Sequence, residues 1–254
     1  MPVMPGAEPY HHRGGKTGVL LCHGFTGSPQ SLRPWGEYLA SAGLSVTLPR
    51  LPGHGTTWQE MGRTRWEDWY AELDKALADL RGDCDEVFVM GLSLGGCMAL
   101  RLAEVHGEGV RGVVVVNPSV ANDVPLLAVA PLLGLVVRSV PGVAGDIKKK
   151  GVTELAYSRT PVRAAATLPR LWALTRAELH KVTQPVLVFH SPQDHVVKPA
   201  SVRILRERLT GGNLSVVELN DSYHVATLDN DADRIFAGSL EFINANASVP
   251  LQGD

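Results

Sequence analysis

Short, almost wholly apolar runs at residues 18–22, 44–48, 86–90, 112–116, 185–189 and 214–219 alternate with longer stretches of helical spacing, and that rhythm leaves few folds open. A strand with one wet face alternates apolar and polar side chains; a run that is apolar throughout is covered on both faces. The covers are at hand. Residues 31–42, 66–80, 94–105, 199–209 and 232–244 read as helices. The expectation is an α/β chain with a mostly parallel central sheet and helices on both faces. At 254 residues it is long enough to bury a large core and a closed site.

The rhythm breaks after residue 117. About 60 residues separate the strand at 112–116 from the next, far more than a crossover needs. We therefore expect a core made of residues 1–117 and 182–254, with residues 118–181 inserted as a cap. Within that insertion residues 124–137 are strongly apolar but hold Pro125, Pro131 and Gly134, and are too short and interrupted to cross a bilayer. Three readings stay open for them: lining a tunnel for a greasy substrate, resting against a lipid surface, or packing the cap onto the core.

A formal net charge of -2 gives no global attraction for nucleic acid, and the one basic run, Lys148-Lys149-Lys150, reads as a solvated turn. Cys22, Cys84 and Cys97 are too scattered for a disulfide framework or a metal knuckle, which favours a reducing compartment. With no leader-like segment at the N-terminus, the expected location is soluble and cytoplasmic. Trp58, Trp66 and Trp69 read as core or cap contacts rather than sugar platforms.

Chemistry concentrates at Gly91-Leu92-Ser93-Leu94-Gly95, which follows the apolar run at 86–90 and opens a helix. Glycines on both sides of the serine permit a sharp strand-to-helix turn that lifts the hydroxyl into a cleft. A serine hydroxyl needs a base to become a nucleophile and an acid to orient that base. In a parallel sheet the C-terminal strand ends share one edge, so the partners belong beyond 185–189 and 214–219. Asp194 and His224 stand there, and the order Ser93, Asp194, His224 suits the arrangement. His195 is a rival base, but sits awkwardly beside Asp194; Asp221 and Glu218 are rival acids. The alkoxide of the tetrahedral intermediate needs two donors. Leu94 N–H supplies one, and Phe25 N–H in the loop Cys22-His23-Gly24-Phe25-Thr26-Gly27 is the best candidate for the other. His23 reads as a structural residue that fixes this loop through its side chain, and His54, in Pro52-Gly53-His54-Gly55, as structural too. The Phe25 ring either touches the substrate or simply packs. No dinucleotide fingerprint is present, and no metal or organic cofactor is called for.

These motifs, taken in order, resemble the α/β-hydrolase fold, and more narrowly the bacterial monoacylglycerol lipases and related small thermostable carboxylesterases. The resemblance extends over residues 6–242. It implies Ser93 as nucleophile, Asp194 as orienting acid, His224 as general base and acid, and the Phe25 and Leu94 amides as oxyanion donors. It also implies a cap over the acyl pocket, and it matches Glu154, in Glu154-Leu155-Ala156-Tyr157, to a carboxylate facing the glycerol headgroup. A carboxylate can accept hydrogen bonds from two neighbouring alcohols; as a plain cap residue Glu154 would instead be salt-bridged. The expected activity is hydrolysis of monoacylglycerols to glycerol and fatty acid, and the expected partner is a small-molecule acyl ester, with contact at a lipid surface through the cap. The alternatives are a broad carboxylesterase and a noncatalytic ligand-binding protein of the same fold. Relatives that cleave carbon–halogen bonds or epoxides place a carboxylate where this chain has Ser93.

Overall fold

Residues 2–121, 137–211 and 213–248 are described by the computed structural model of the chain. Nine strands occur among them: β1 (Tyr10–His12), β2 (Thr17–Cys22), β3 (Ser45–Leu48), β4 (Glu86–Leu92), β5 (Gly112–Val116), β6 (Ser139–Pro141), β7 (Arg159–Pro161), β8 (Val186–His190) and β9 (Leu214–Glu218). Seven form one sheet in the order β1-β3-β2-β4-β5-β8-β9, parallel except for β1, while β6 and β7 pair as a separate antiparallel ribbon.

The apolar runs are the parallel strands, and their period of two divides each between two cores. Leu20, Val87, Val89, Val113, Val115, Val186 and Val188 point to one face. Val19, Leu21, Phe88, Met90, Val114, Val116, Leu187 and Phe189 point to the other. The first face is covered by α3 (Trp66–Asp83) and α4 (Leu94–His106), the second by α1 (Arg33–Ser41). Past the sheet's midpoint come α5 (Val162–Ala165), α6 (Leu168–Glu178), α7 (Ala200–Arg208) and α8 (Ala232–Asn246); α6 and α7 join the first core and α8 the second. A short helix, α2 (Trp58–Met61), precedes α3. The longest helix, α3, is helical for a visible reason. Trp66, Trp69, Leu73, Ala76, Leu77 and Leu80 make one buried stripe, and Asp68 accepts the Arg65 N–H at 2.9 Å to close its first turn.

The apolar stretch 124–137 lies outside the described residues except for Val137. What is described between β5 and β8 includes the β6–β7 ribbon, α5, α6 and an irregular segment at 142–158. The Lys148-Lys149-Lys150 run enters a turn at residues 149–151, as read from sequence, with Lys148 tied down at its start. Lys148 Nζ lies 2.8 Å from Asp221 and 3.2 Å from Gln193, and only Lys149 and Lys150 are exposed. The parallel strands end on one edge, and the loops leaving that edge build the cleft.

Candidate active site

Ser93 is the single residue between β4 and α4, at φ 57° and ψ −118°. That is a backbone shape that non-glycine residues avoid, at a cost of order 1–3 kcal/mol. The surroundings hold it there. Ser93 N–H donates to Val116 O at 2.9 Å, and Ser93 O accepts the N–H groups of Cys97 and Ser119 at 3.2 and 3.0 Å. The flanking glycines are steric necessities. A Cβ on Gly91 would come within 2.4 Å of the Gly95 carbonyl, and one on Gly95 within 1.8 Å of Cys22 O.

The second contact sets the spacing of the site, because it brings the end of β2 against the first turn of α4. Phe25 follows three residues after Cys22, and its N–H and that of Leu94 have no protein acceptor among the described residues. The peptide carrying the Phe25 N–H is held from behind. His23 Nδ1 lies 3.0 Å from Gly24 O, and Leu51 N–H donates to His23 Nε2 at 3.2 Å, so the ring proton sits on Nδ1. Burial holds this imidazole neutral, its pKa lowered to about 4 despite the Gly24 carbonyl. His54 packs edge-on against His23 and against Trp69, at 5.1 and 5.2 Å between ring centroids, and burial lowers its pKa as well. The Phe25 ring packs on Trp69 at 5.6 Å between centroids, and Phe25 is among the residues that line the cavity.

Across the cleft, the loop after β9 carries His224. Its Nδ1 lies 2.7 Å from Asp194 Oδ2, so the carboxylate accepts the ring proton and Nε2 keeps its lone pair. Asp194 is itself oriented, with Oδ1 accepting the N–H groups of Val196 and Val197 at 2.7 and 2.8 Å. The rivals are placed elsewhere. His195 Nδ1 pairs with Asp146 at 2.8 Å and Asp221 with Lys148, and Glu218 ends β9 as an exposed residue outside the cavity wall.

Ser93, Leu94, Phe25, His224 and Glu154 line one cavity of about 270 Å³; Asp194 stands behind His224. The rest of its wall is largely apolar, with Val140, Val143, Val162, Leu168 and Trp172 among its members. Among the described residues Glu154 is the one carboxylate in that wall. Burial raises its pKa; the Gly145 N–H, donating at 3.0 Å, and the nearby His224 oppose the rise. No cation is paired with it among the described residues. Its chain is sewn to the loop after β2: Gln30 bonds Thr153 O and Leu155 N–H, Ser28 donates to Leu155 O, and Tyr157 N–H donates to Thr26 O. Among the described residues no group of three His, Cys, Asp or Glu side chains is set to hold a metal ion.

Three residues that sequence reasoning passed over organise these loops. Buried Asn117, at φ 43°, donates to the carbonyls of Tyr223 and His224 and accepts Ser191 N–H. Asp229, fully buried, accepts the N–H groups of Lys148, Lys149, Tyr223 and Asn230. Asp146 bridges the loops of Asp194 and His224. Only Asn117 stands directly after an apolar run, and each of the three reaches partners far along the chain.

Comparison with known proteins places this geometry in company. Residues 15–231 match the family described as serine aminopeptidase, S33. The chain is 42% identical to the thermostable monoacylglycerol lipase of Bacillus sp. (strain H-257), over 97% of this chain and 98% of that one. It is 26% identical to a carboxylesterase of Bacillus subtilis (strain 168), over 93% and 96% respectively. Among solved structures it superimposes on a metagenome-derived lipolytic enzyme of the LipS and LipT pair with a TM-score of 0.93 and 40% identity, covering 96% of this chain and all of the other.

Proposed function

Because this chain belongs to the bacterial monoacylglycerol lipase and carboxylesterase family of the α/β-hydrolases, we propose that it cleaves the ester of monoacylglycerols through an acyl-enzyme on Ser93. The observation that supports this most is the make-up of the cavity. Ser93, His224, Phe25 and Leu94 line it together, most of the remaining wall is apolar, and Glu154 is its one carboxylate among the described residues.

The proposed chemistry is acyl transfer to a serine. Ser93 Oγ attacks the ester carbonyl, and the alkoxide that forms faces the N–H groups of Phe25 and Leu94, which hydrogen-bond charge that exists only in the tetrahedral intermediate. His224 Nε2 takes the serine proton and hands it to the departing glycerol oxygen, then removes a proton from water to release the fatty acid. Asp194 holds the imidazole and stabilises its charged form. Glu154 accepts hydrogen bonds from the glycerol hydroxyls, which would otherwise be poorly accommodated beside apolar walls. Residues 118–181 act as the cap of the acyl pocket. Contact with a lipid surface rests on the apolar composition of residues 124–137, and a cytoplasmic location on the free, buried thiols of Cys22, Cys84 and Cys97.

The test is hydrolysis of a medium-chain monoacylglycerol against the ethyl ester of the same acid. The glyceride should be preferred; Glu154→Gln should erase most of that preference while ethyl ester turnover persists, and Ser93→Ala should abolish both. Equal rates on the two esters would make the protein a broad carboxylesterase. Failure of a fluorophosphonate to label Ser93 in the folded protein would remove the hydrolase reading.

A further inference from the structure

His224 does its work only if its ring meets Ser93 on one side and Asp194 on the other. The ring is fixed by Asp194, but the main chain that carries it needs fixing as well. Asp146, in the irregular segment between β6 and β7, reaches that main chain from the inserted segment. Its Oδ2 accepts His224 N–H at 3.1 Å and His195 N–H at 3.2 Å, and its Oδ1 lies 2.8 Å from His195 Nδ1. Its own carbonyl accepts Val225 N–H at 3.1 Å. One partly buried carboxylate therefore joins the residue after Asp194 to His224, and its carbonyl holds the residue after His224. On the opposite side Asn117 donates to His224 O at 2.9 Å. Both backbone polar atoms of His224 are thus taken by side chains from other elements.

We propose that Asp146 is a positioning residue for the general base, setting the separation of the His224 and Asp194 loops from within the inserted segment. The inference rests on the triad assignment above. Ser191, Gln193 and Asn117 already tie the two loops together through Tyr223 O, Asn220 O and His224 O; what Asp146 adds is the contact that ends on the main-chain N–H of His224 itself, and so fixes the backbone from which the imidazole projects. Misplacement of a catalytic group by about 1 Å can lower turnover about a hundredfold, and the substrate pocket does not include Asp146. The deficit belongs in kcat and not in KM.

The experiment compares wild type, Asp146→Ala, Asp146→Asn and Ser93→Ala on a soluble short-chain ester, with thermal melts and proton NMR of the far-downfield signal of the proton between His224 and Asp194. Asp146→Ala is expected to keep its cooperative melt and hold KM within about twofold, to lose roughly ten- to hundredfold in kcat, and to broaden or lose the downfield signal. Asp146→Asn keeps an oxygen to accept N–H and falls between the two. Wild-type kcat and an intact signal in Asp146→Ala overturn the proposal, as does a loss confined to KM. If the alanine variant does not fold, the asparagine variant decides: wild-type kcat with an unchanged signal overturns the proposal, and reduced kcat at unchanged KM with a broadened signal supports it. Wild-type turnover that survives in Ser93→Ala would instead defeat the triad assignment.

Discussion

Gly95 shows how much of the site depends on a missing atom. With Cys22 O 1.8 Å from where its Cβ would stand, alanine forces β2 and α4 apart, and with them the Phe25 and Leu94 amides. Gly95→Ala should lower stability by about 2 kcal/mol or more, as overpacking a rigid backbone contact does, and should depress esterase activity in the fraction that remains folded. Urea unfolding checks the first and active-site titration the second; a variant with wild-type stability and turnover would show that the contact is soft. Ser93, with its flanking glycines, Asp194 and His224 were legible because each stands beside the end of an apolar run, where the fold gathers side chains. Asn117, Asp146 and Asp229 were not. Each acts by hydrogen-bonding backbone groups of loops that are remote in sequence, and composition says nothing of such pairings. Glu154 was reached only through resemblance, since its surroundings come from Gly27 and Gly145, neither adjacent to it in the chain.

At the scale of elements, α4 and α6 are joined by a buried charge cluster away from the site. Arg101 bonds Glu104 at 2.8 Å and also Glu178, and the second Glu104 oxygen has no partner among the described residues. Burial raises the Glu104 pKa from 4.5 to about 8, against the pull of Arg101. The folded state therefore keeps a proton that the unfolded chain has lost, so stability falls as pH rises from about 4.5 to about 8 and levels off above. Glu104→Gln should flatten that slope and be more stable than wild type at pH 8 and beyond; urea midpoints across pH 5–9 test it, and parallel slopes for the two proteins would count against it. The central strands β2, β4, β5 and β8 could be read from sequence because burial on both faces demands nearly continuous apolar residues, whereas β9, at the edge, is partly exposed and carries Ser215 and Glu218. β1 could not: Tyr10, His11 and His12 pair antiparallel with β3 at the sheet's edge, where one side stays wet and polar side chains are tolerated. The three-residue strands β6 and β7 are too short to show a period at all.

For the molecule as a whole, the site is a seam between chain segments that fold far apart in sequence. The β2 loop, the β4–α4 turn and the loops after β8 and β9 meet at one edge of the sheet, and the segment at 142–158 is laced to them from above. No helix among the described residues is long and apolar enough to cross a membrane. The lacing has a kinetic consequence through Asp229. The N–H groups of Lys148, Lys149 and Tyr223 all end on this one buried carboxylate, so none can be released to solvent without disturbing the bonds of the others. In deuterium exchange these amides should label together, at one slow rate set by a shared opening, and Asp229→Asn should quicken all of them in concert. Rates scattered over more than about tenfold would mean that the segments open separately. If they move together, the unit that fluctuates above the substrate is not a flap on its own hinge but a piece that takes the histidine loop with it, so every opening also interrupts catalysis.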